Sequence, residues 1–355
     1  MQSFFFLLPI LARTTWSTSA SCPSATWSQV GRTVVGGIQG NAINQLHYPV
    51  GLFIDPNDCL FIADSRNDRV IKVEQGASIG TVVASKLHTP TDVSVDKQGN
   101  LYIVDLSTSE GSSGRVTYWI NGSNTNILDA FEQLDAIVFD TKEEYFYVTQ
   151  RSNGGIIRYK KDGTGEHTII GNFGEGSALF QLDQPWDVAI DASGVIYIAD
   201  SGNNRVIKWP MNATEGILIG GGNNYGNRTD QLAAPRGVFV DHLGTVYVAD
   251  TYNDRIIRIP VGSKTGTIIV GGHGRVIVQS LISISRMTST HQTSSTVSLY
   301  HEDRNEFIGN KCLANSNPTR RSLSNIIRYS DILNYVGFIL RSHSLFYCSF
   351  PKVAT

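Results

Sequence analysis

The sequence predicts an all-β protein built from repeated four-stranded antiparallel sheets. Five similar segments follow one another in a chain of 355 residues, and the residues that end their second strands are 41 to 50 positions apart. Each copy holds short apolar or alternating runs separated by turn residues, and the chain contains 34 glycines. The copies begin at Tyr48, Thr89, Gln133, Gln184 and Ala234. A period of about 40–50 residues is typical of stacked repeat architectures.

The fourth copy shows the four strands in order. The alternating run "DVAID" is followed by a D-x-x-G turn from Asp191 to Gly194, and the apolar run "VIYIAD" then forms the second strand. After a polar turn come "RVIKW" and "GILIGGG", which predict the third and fourth strands. We interpret the D-x-x-G aspartates as turn formers, because a short carboxylate accepts backbone N–H bonds two residues on. They are Asp96, Asp191 and Asp241.

A sheet of this kind is apolar on both faces and cannot be stable alone. The copies are therefore expected to pack face to face, and radial stacking closes the series into a propeller. The segment "GRTVVGG", Gly31 to Gly37, is similar in sequence to the predicted fourth strands of the later copies. It is not preceded by the first three strands of a repeat. We predict that it is the outermost strand of a last blade, whose other strands come from the far end of the chain.

A D-x-x-N-x-R turn follows the second strand, and an L-x-x-P sequence opens the unit. With these two features the unit resembles the NHL repeat, and residues 31–272 resemble an NHL-type β-propeller. The resemblance implies six blades, five recognisable and a sixth that is incomplete or diverged. Copy two keeps only Asp105 and Arg115, and copy three has Gln150 in place of the aspartate. The complete turn sets are Asp64/Asn67/Arg69, Asp200/Asn203/Arg205 and Asp250/Asn253/Arg255.

Both ends of the chain differ from the repeats. Residues 1–20 contain an apolar block, Phe4 to Ala12, followed by small residues, which predicts a signal peptide cut after Ala20 and a secreted, extracellular protein. Residues 1–272 hold 20 Lys and Arg against 27 Asp and Glu, whereas the remaining residues hold 9 against 4. Residues 273–355 are therefore interpreted as a divergent or disordered tail, or as a frameshifted reading. Runs such as "RVIVQS" and "STVSLY" could still supply strands to the last blade.

Three N-glycosylation sequons, at Asn121, Asn212 and Asn227, fall in predicted turns and indicate a glycoprotein. The four cysteines form no CxxC pair, and a bridge between Cys22 and Cys59 stays open. No run reaches the roughly 18 apolar residues that a membrane span requires, so no membrane span is expected.

We interpret the recurrent Asp, Asn and Arg as structural turn residues. The aspartate accepts turn N–H bonds, the asparagine takes the left-handed conformation of a tight turn, and the arginine reaches back to the carboxylate. Binding residues are instead expected where the copies differ, on the end of the blades that carries the second-to-third strand turns and the blade linkers. We call this end the turn face. Its ligand-binding candidates are His47, His88, Asp135, Trp186, Arg236 and Tyr252, and unselected variation at exposed loops is the alternative.

The predicted function is an extracellular scaffold that binds a protein, peptide or glycan. The alternative is a metal-assisted enzyme, since amidating lyases and lactonase-like hydrolases resemble such propellers, and calcium or zinc would then be its cofactor. No catalytic residue or cofactor is assigned, because His47 and His88 lack the third protein ligand that catalytic zinc requires. The acidic balance of residues 1–272 argues against nucleic-acid binding. The sequence leaves the oligomeric state open.

Overall fold

The computed structural model describes residues 34–106, 113–130, 133–171 and 173–271 with their side chains. It also gives the backbone of three further strands, β1 (Ser3–Ile10), β22 (Ile277–Ser283) and β23 (Ser295–Glu302). Most of the predicted signal peptide and tail lies outside the described residues, as do Glu132 and the cysteines at positions 22, 312 and 348.

Five four-stranded antiparallel sheets follow one another along the chain. Each is one blade, and its strands are hydrogen-bonded in sequence order from the inside outwards. Blade 1 consists of β2 (Pro49–Ile54), β3 (Leu60–Asp64), β4 (Arg69–Val73) and β5 (Thr81–Ser85). Blade 2 consists of β6 (Asp92–Val95), β7 (Leu101–Leu106), β8 (Gly114–Ile120) and β9 (Ser123–Asp129).

The other three blades repeat this order. Blade 3 consists of β10 (Leu134–Phe139), β11 (Tyr145–Gln150), β12 (Gly155–Lys160) and β13 (His167–Ile170). Blade 4 consists of β14 (Pro185–Ile190), β15 (Ile196–Asp200), β16 (Arg205–Trp209) and β17 (Ile217–Gly221). Blade 5 consists of β18 (Gly237–Val240), β19 (Val246–Asp250), β20 (Arg255–Ile259) and β21 (Thr267–Gly271). The prediction of five blades of four antiparallel strands is confirmed.

Short 3₁₀ helices form the turn between the second and third strands of blades 1, 3 and 5. They are Ser65–Asn67, Arg151–Asn153 and Thr251–Asn253. Each is followed at once by a residue in the left-handed conformation, which reverses the chain into the third strand.

The hydrophobic core lies between neighbouring blades. Side chains alternate between the two faces of a strand, so a sheet that is covered on both sides buries successive residues. Every residue of β15 is buried in this way. Ile198 packs among residues of blades 3 and 4, whereas its neighbour Ala199 packs among residues of blades 4 and 5. Each blade is therefore stabilised by its neighbours.

The strands β1, β23 and β22 form a three-stranded antiparallel sheet in that order. Strand β22 lies beside β18 of blade 5 and β2 of blade 1, the innermost strands of those blades. Strand β1 is at the opposite edge of the sheet. Both segments of the tail that were expected to supply strands, "RVIVQS" and "STVSLY", overlap β22 and β23.

The prediction that Gly31 to Gly37 forms an outermost strand is wrong for its described part, residues 34–37, which contain no strand. Gly36 and Gly37 have φ angles of 92° and 93°, but Gly221 and Gly222, at and just after the end of β17, also have positive φ angles, so the glycines alone do not account for the difference. Val35 is instead buried against Leu46 and Leu52, under the linker that enters blade 1. The outer strand of the three-stranded sheet comes from Ser3–Ile10.

Candidate functional site

In blade 4, the recurrent Asp, Asn and Arg join the turn after β15 to the linker that enters the blade. Asp200 is fully buried, and its carboxylate accepts bonds from Asp183 N at 2.7 Å, Asn203 Nδ2 at 2.9 Å and Arg205 Nε at 2.6 Å. The other guanidinium nitrogens of Arg205 donate to the carbonyl oxygens of residues 177, 178 and 181. Asp64 with Arg69 and Asp250 with Arg255 make the same contacts in blades 1 and 5. These side chains use their hydrogen-bonding capacity within the fold.

The asparagine of the motif has a different role from the one that the sequence suggested. In blade 4, Asn203 donates to Asp200 and to the carbonyl oxygen of Gly176, both at 2.8 to 2.9 Å. The left-handed residue is the next one, Asn204, with a φ of 51°. The prediction that the motif asparagine takes the left-handed conformation is therefore wrong. Its amide is needed as a donor, and the following residue closes the turn.

The same correction applies to Asn67 in blade 1 and Asn253 in blade 5, which were also predicted to be left-handed. Each is the last residue of a 3₁₀ helix, and the left-handed residue comes one position later, at Asp68 with a φ of 52° and at Asp254 with a φ of 51°. Asn67 Nδ2 donates at 2.8 Å to the motif aspartate of its blade and to a carbonyl oxygen of the linker, and Asn253 Nδ2 does the same. All three asparagines are thus structural residues of the turn, but they act as side-chain donors.

One position of this turn connects neighbouring blades. Ser65 and Ser201 each donate through Oγ to the proline carbonyl that opens the next blade, at Pro90 and Pro235. Copy three, which lacks the motif aspartate, has Arg151 at this position. Its guanidinium reaches into blade 4, where it lies 4.1 Å from the centre of the Trp186 ring.

Trp186 contacts an arginine from each neighbouring blade. Arg236 of blade 5 also lies 4.1 Å from the ring centre, the same distance as Arg151 of blade 3. Arg236 donates to the hydroxyl oxygen of Tyr252 at 3.3 Å, and its guanidinium is 5.4 Å from that ring. Tyr252 is 57% exposed. Three adjacent blades thus contribute to one cluster on the turn face.

Asp135 supplies the negative charge of this cluster. Its Oδ1 accepts a bond from Arg151 Nη1 at 3.3 Å and one from Gln133 Nε2 at 3.4 Å. Its Oδ2 is buried and has no hydrogen-bond partner among the described residues. Burial raises the pKa of this carboxyl to about 6, against the attraction of Arg151 and Arg236. Burial also lowers the pKa of Arg236. We call Asp135, Arg151, Trp186, Arg236 and Tyr252 the Trp186 cluster.

The two histidine candidates lie in other blades. His47 is half-buried at the entry to blade 1, with its ring centre 5.7 Å from that of Tyr48. His88 is half-buried at the entry to blade 2, and its buried Nδ1 has no partner among the described residues. Arg66 lies 5.5 Å from the Tyr48 ring, so blade 1 carries a smaller pair of cation and aromatic ring. Of the six candidates, four belong to the Trp186 cluster and two do not.

A cavity of about 160 Å³ lies between the innermost strands of the five blades. Asp92 and Asp187 line it, and they stand two residues after the proline position of blades 2 and 4. Asp92 accepts a bond from Ile137 N, and Asp187 accepts one from Val238 N, so each joins its own blade to the next. Burial raises the pKa of Asp92, and it raises that of Asp187 to about 7.

Three of these residues, Arg151, Asp92 and Asp187, were not among the predicted ligand-binding candidates. Arg151 could have been found because it replaces the serine or threonine that copies one, four and five have at the same place in the turn. Asp92 and Asp187 stand where the other copies have a glycine or an alanine, and this alternation was the available signal. In the described ranges, no group of three or more His, Cys, Asp or Glu side chains could hold a metal ion. No helix in those ranges has the length and apolarity to cross a membrane.

The NHL repeat family model matches residues 182–209, from the linker before blade 4 to the end of its third strand. No curated protein sequence gives a significant match. Several solved structures share the fold at low sequence identity. One is a structural genomics protein of unknown function from Bacteroides thetaiotaomicron, with 16% identity, a TM-score of 0.55 and 75% of each chain covered.

Two further solved structures are similar to this chain. The first comes from a nidogen/laminin complex, with 16% identity and a TM-score of 0.52, covering 63% of this chain and 80% of that one. The second is virginiamycin B lyase from Staphylococcus aureus, with 11% identity and a TM-score of 0.50, covering 68% of this chain and 76% of that one. Identities this low show a common fold only.

The five radial blades and their recurrent Asp–Asn–Arg turns define a β-propeller whose blades are tied together through the turn face. The family match covers one of these units and agrees with the resemblance found in the repeats. The chain is a β-propeller protein whose fourth blade matches the NHL repeat.

Proposed function

We propose that the protein is an extracellular binding module whose turn face recognises a protein, peptide or glycan. The observation that carries this proposal is the Trp186 cluster. Trp, Tyr and Arg are the residue types that contribute most binding energy at protein interfaces. Here they come from three blades and meet next to the exposed Tyr252. The guanidinium groups of the motif arginines donate to acceptors within the fold. The residues of the Trp186 cluster differ from their counterparts in the other copies, and the cluster lies at the surface.

The proposed extracellular location is supported by the predicted signal peptide and by the positions of the sequons. Asn121 lies in the turn between β8 and β9, and Asn212 in the turn between β16 and β17. Both are exposed turn residues with left-handed backbones, with φ angles of 49° and 62°. These turns are at the opposite end of the blades from the turn face, so glycans there would leave the Trp186 cluster uncovered. Asn227 lies in the linker that enters blade 5.

Recognition by a propeller is consistent with one of the similar structures, which comes from a complex between nidogen and laminin. The partner in that complex is a property of that protein, and only the use of such a fold for binding is carried over to this chain.

The experiment compares ligand selection by matched variants. Biotinylated protein from a eukaryotic host is presented to a random peptide display library and to a glycan array. We expect ligands that bind the wild type and the Arg66→Ala variant but lose at least about tenfold in affinity with Trp186→Ala, since central aromatic anchors contribute at least about 2 kcal/mol. Arg66 is a matched control because it is an exposed cation beside an aromatic ring on the same face. Ligands that bind Trp186→Ala as well as the wild type would contradict the proposal.

A metal-assisted enzyme is the second candidate. Asp92 and Asp187 favour it, because carboxyls with raised pKa values that line a central cavity are typical of catalytic sites. Virginiamycin B lyase shows that a similar fold occurs in an enzyme. Elemental analysis after exhaustive dialysis tests this candidate. Stoichiometric calcium or zinc that is lost in Asp187→Asn would favour the enzyme, and its retention in that variant would place the metal elsewhere.

We also propose that β22 and β23 form the sixth blade, with β1 as its third strand in the uncleaved chain. The position of β22 beside β2 and β18 supports this proposal, because those strands begin the first and fifth blades. Cleavage of a signal peptide after Ala20 would remove β1. The secreted protein would then keep only β22 and β23 in this blade. Limited proteolysis with mass spectrometry decides: protection up to about residue 302 supports a sixth blade, and a resistant core that ends near residue 271 contradicts it.

A further inference from the structure

The two arginines of the Trp186 cluster differ from the motif arginines in how few donors they use. Arg205 makes four hydrogen bonds, one to Asp200 and three to linker carbonyls. Arg151 makes one side-chain bond, to Asp135, and Arg236 makes one, to Tyr252. Both of these bonds are 3.3 Å long. Most guanidinium N–H groups of Arg151 and Arg236 therefore have no acceptor among the described residues.

The Trp186 ring determines which part of the cluster a ligand can reach. Two guanidiniums lie 4.1 Å from its centre, so cation–π contacts already engage the ring. A sugar that stacks on an aromatic ring needs an open ring face, whereas a carboxylate needs the N–H edges of guanidiniums. The cluster offers these edges, and the remaining exposed ring, Tyr252, stands beside them.

The charge of the cluster also favours a carboxylate ligand. Two guanidiniums face one carboxylate, Asp135, which bonds to Arg151 through a single long contact. By comparison, Arg115 and Asp105 are joined by two contacts of 2.8 and 2.7 Å. The acidic balance of residues 1–272 disfavours a polyanion such as nucleic acid, so the local positive charge suits a ligand with one or two negative groups.

We propose that the Trp186 cluster binds a carboxylate group of a peptide, an Asp or Glu side chain or a C-terminus, through Arg151 and Arg236. This inference rests on the proposed function and names its ligand chemistry. The carboxylate takes the guanidinium donors that the fold leaves unused, and Tyr252 contacts the adjoining peptide. Asp135 acts as an internal competitor, since the ligand displaces it from Arg151.

Because Asp135 competes with the ligand carboxylate for Arg151, ligand binding depends on the protonation state of Asp135. The charged groups around Asp135 are Arg151 and Arg236, which favour its ionised form, and the carboxyl of Asp92 in the neighbouring blade. A bound carboxylate next to Asp135 disfavours the ionised form and so raises its pKa above about 6. Binding then takes up a proton, and affinity increases as the pH falls from about 7.5 to about 5.5, above the ordinary pKa of the ligand carboxyl.

The test uses succinate as the probe and the side-chain Nε–H signals of arginine as the readout. Uniformly ¹⁵N-labelled protein is titrated with sodium succinate, with sodium chloride at matched ionic strength as the control. We expect saturable shifts of the Arg151 and Arg236 signals, assigned with Arg151→Lys and Arg236→Lys, with a dissociation constant on the order of 10 mM for so small a ligand. The Arg66 signal should not move. Absence of saturable shifts, or equal shifts at Arg66, would overturn the inference.

A second variant tests the role of Asp135. Asp135→Asn keeps the side-chain shape but removes the competing charge, so we expect succinate to bind several-fold more tightly at about pH 7.5, with little further gain at about pH 6.5, where succinate still carries both charges. An unchanged pH dependence would contradict the competition. If succinate fails to bind while library ligands still require Trp186, the carboxylate assignment is wrong and the proposed function stands. If library ligands ignore Trp186, the proposed function is wrong.

Discussion

Replacement of Arg205 by Ala removes the contacts that tie blade 4 to its linker. Asp200 would remain fully buried with bonds from Asp183 N and Asn203 only. Leaving a buried charge without its partner costs about 3–5 kcal/mol. Three linker carbonyls lose their donor as well, and each such bond contributes about 1 kcal/mol net.

Arg115→Ala is the matched comparison, because Arg115 pairs with a buried aspartate but has no bond to a linker carbonyl among the described residues. Its bonds go to Asp105 alone. We therefore expect Arg115→Ala to cost about 3 kcal/mol and Arg205→Ala up to about 3 kcal/mol more. Arg66→Ala, at an exposed position, should stay within about 0.5 kcal/mol of the wild type.

Urea unfolding followed by circular dichroism at pH 7 and pH 5 measures these differences. Burial already raises the pKa of Asp200, and loss of Arg205 raises it further, so the folded variant is protonated more readily than the unfolded chain. The deficit of Arg205→Ala should consequently be smaller at pH 5 than at pH 7. Equal costs for Arg205→Ala and Arg115→Ala would refute the argument that the motif arginine stabilises the linker.

A glycine, a buried carboxyl and a sequon each give a further prediction. Gly154→Ala should destabilise the protein by more than Gly99→Ala, measured as a lower thermal midpoint. At Gly154 a Cβ would lie 2.4 Å from the carbonyl oxygen of Leu182, whereas nothing lies within 4 Å at Gly99, and both have positive φ. The unfolding free energy should fall as the pH rises from about 4 to about 8, because burial raises the pKa of Asp187 to about 7 and the folded state therefore binds more protons; Asp187→Asn should flatten this slope, by at most about 1.4 kcal/mol per pH unit. Asn212→Gln should remove one glycan mass from protein secreted by a eukaryotic host without changing its thermal midpoint by more than about 2 °C, and an unchanged mass would show that the sequon is not used.

The blades were predictable because the sequence pattern of each strand and turn recurs in several copies. A weak pattern in one copy is therefore supported by the same pattern in the others. Asp200, Asn203 and Arg205 illustrate this: their spacing recurs in three copies, and the structure joins them by direct hydrogen bonds. The role of the asparagine was not predictable in the same way, at Asn203 or at its counterparts Asn67 and Asn253. A left-handed preference is a property of the residue type, whereas the donor role depends on where a linker carbonyl lies.

The candidate site was partly predictable from positions at which the copies differ. Asp135, Trp186 and Arg236 occupy equivalent positions at the start of successive inner strands, so the packing of adjacent blades brings them together with Tyr252. Arg151 was not among the ligand-binding candidates, although Asp135 of the same copy was. Which partner its long side chain reaches depends on the packing of two blades, and a single sequence does not contain that information.

The segments that flank the five blades were the least predictable part of the fold. "GRTVVGG" matches the later fourth strands in composition, but its described residues, 34–37, form no strand, and Val35 packs against the entry to blade 1. Strand β1 takes the outer edge of the three-stranded sheet instead, and it comes from the segment that reads as a signal peptide. Apolar residues favour both a strand and a leader, so composition does not separate the two.

Hydrogen–deuterium exchange of the wild-type protein, with and without a ligand enriched on it, tests the central claim most directly. We predict protection on the turn face, in peptides that contain Arg151, Trp186, Arg236 and Tyr252, and unchanged exchange in the turns at the opposite end, such as Asp191 to Gly194. Protection confined to the opposite end, or to the residues that line the central cavity, would contradict the claim that the protein binds its ligand through the turn face.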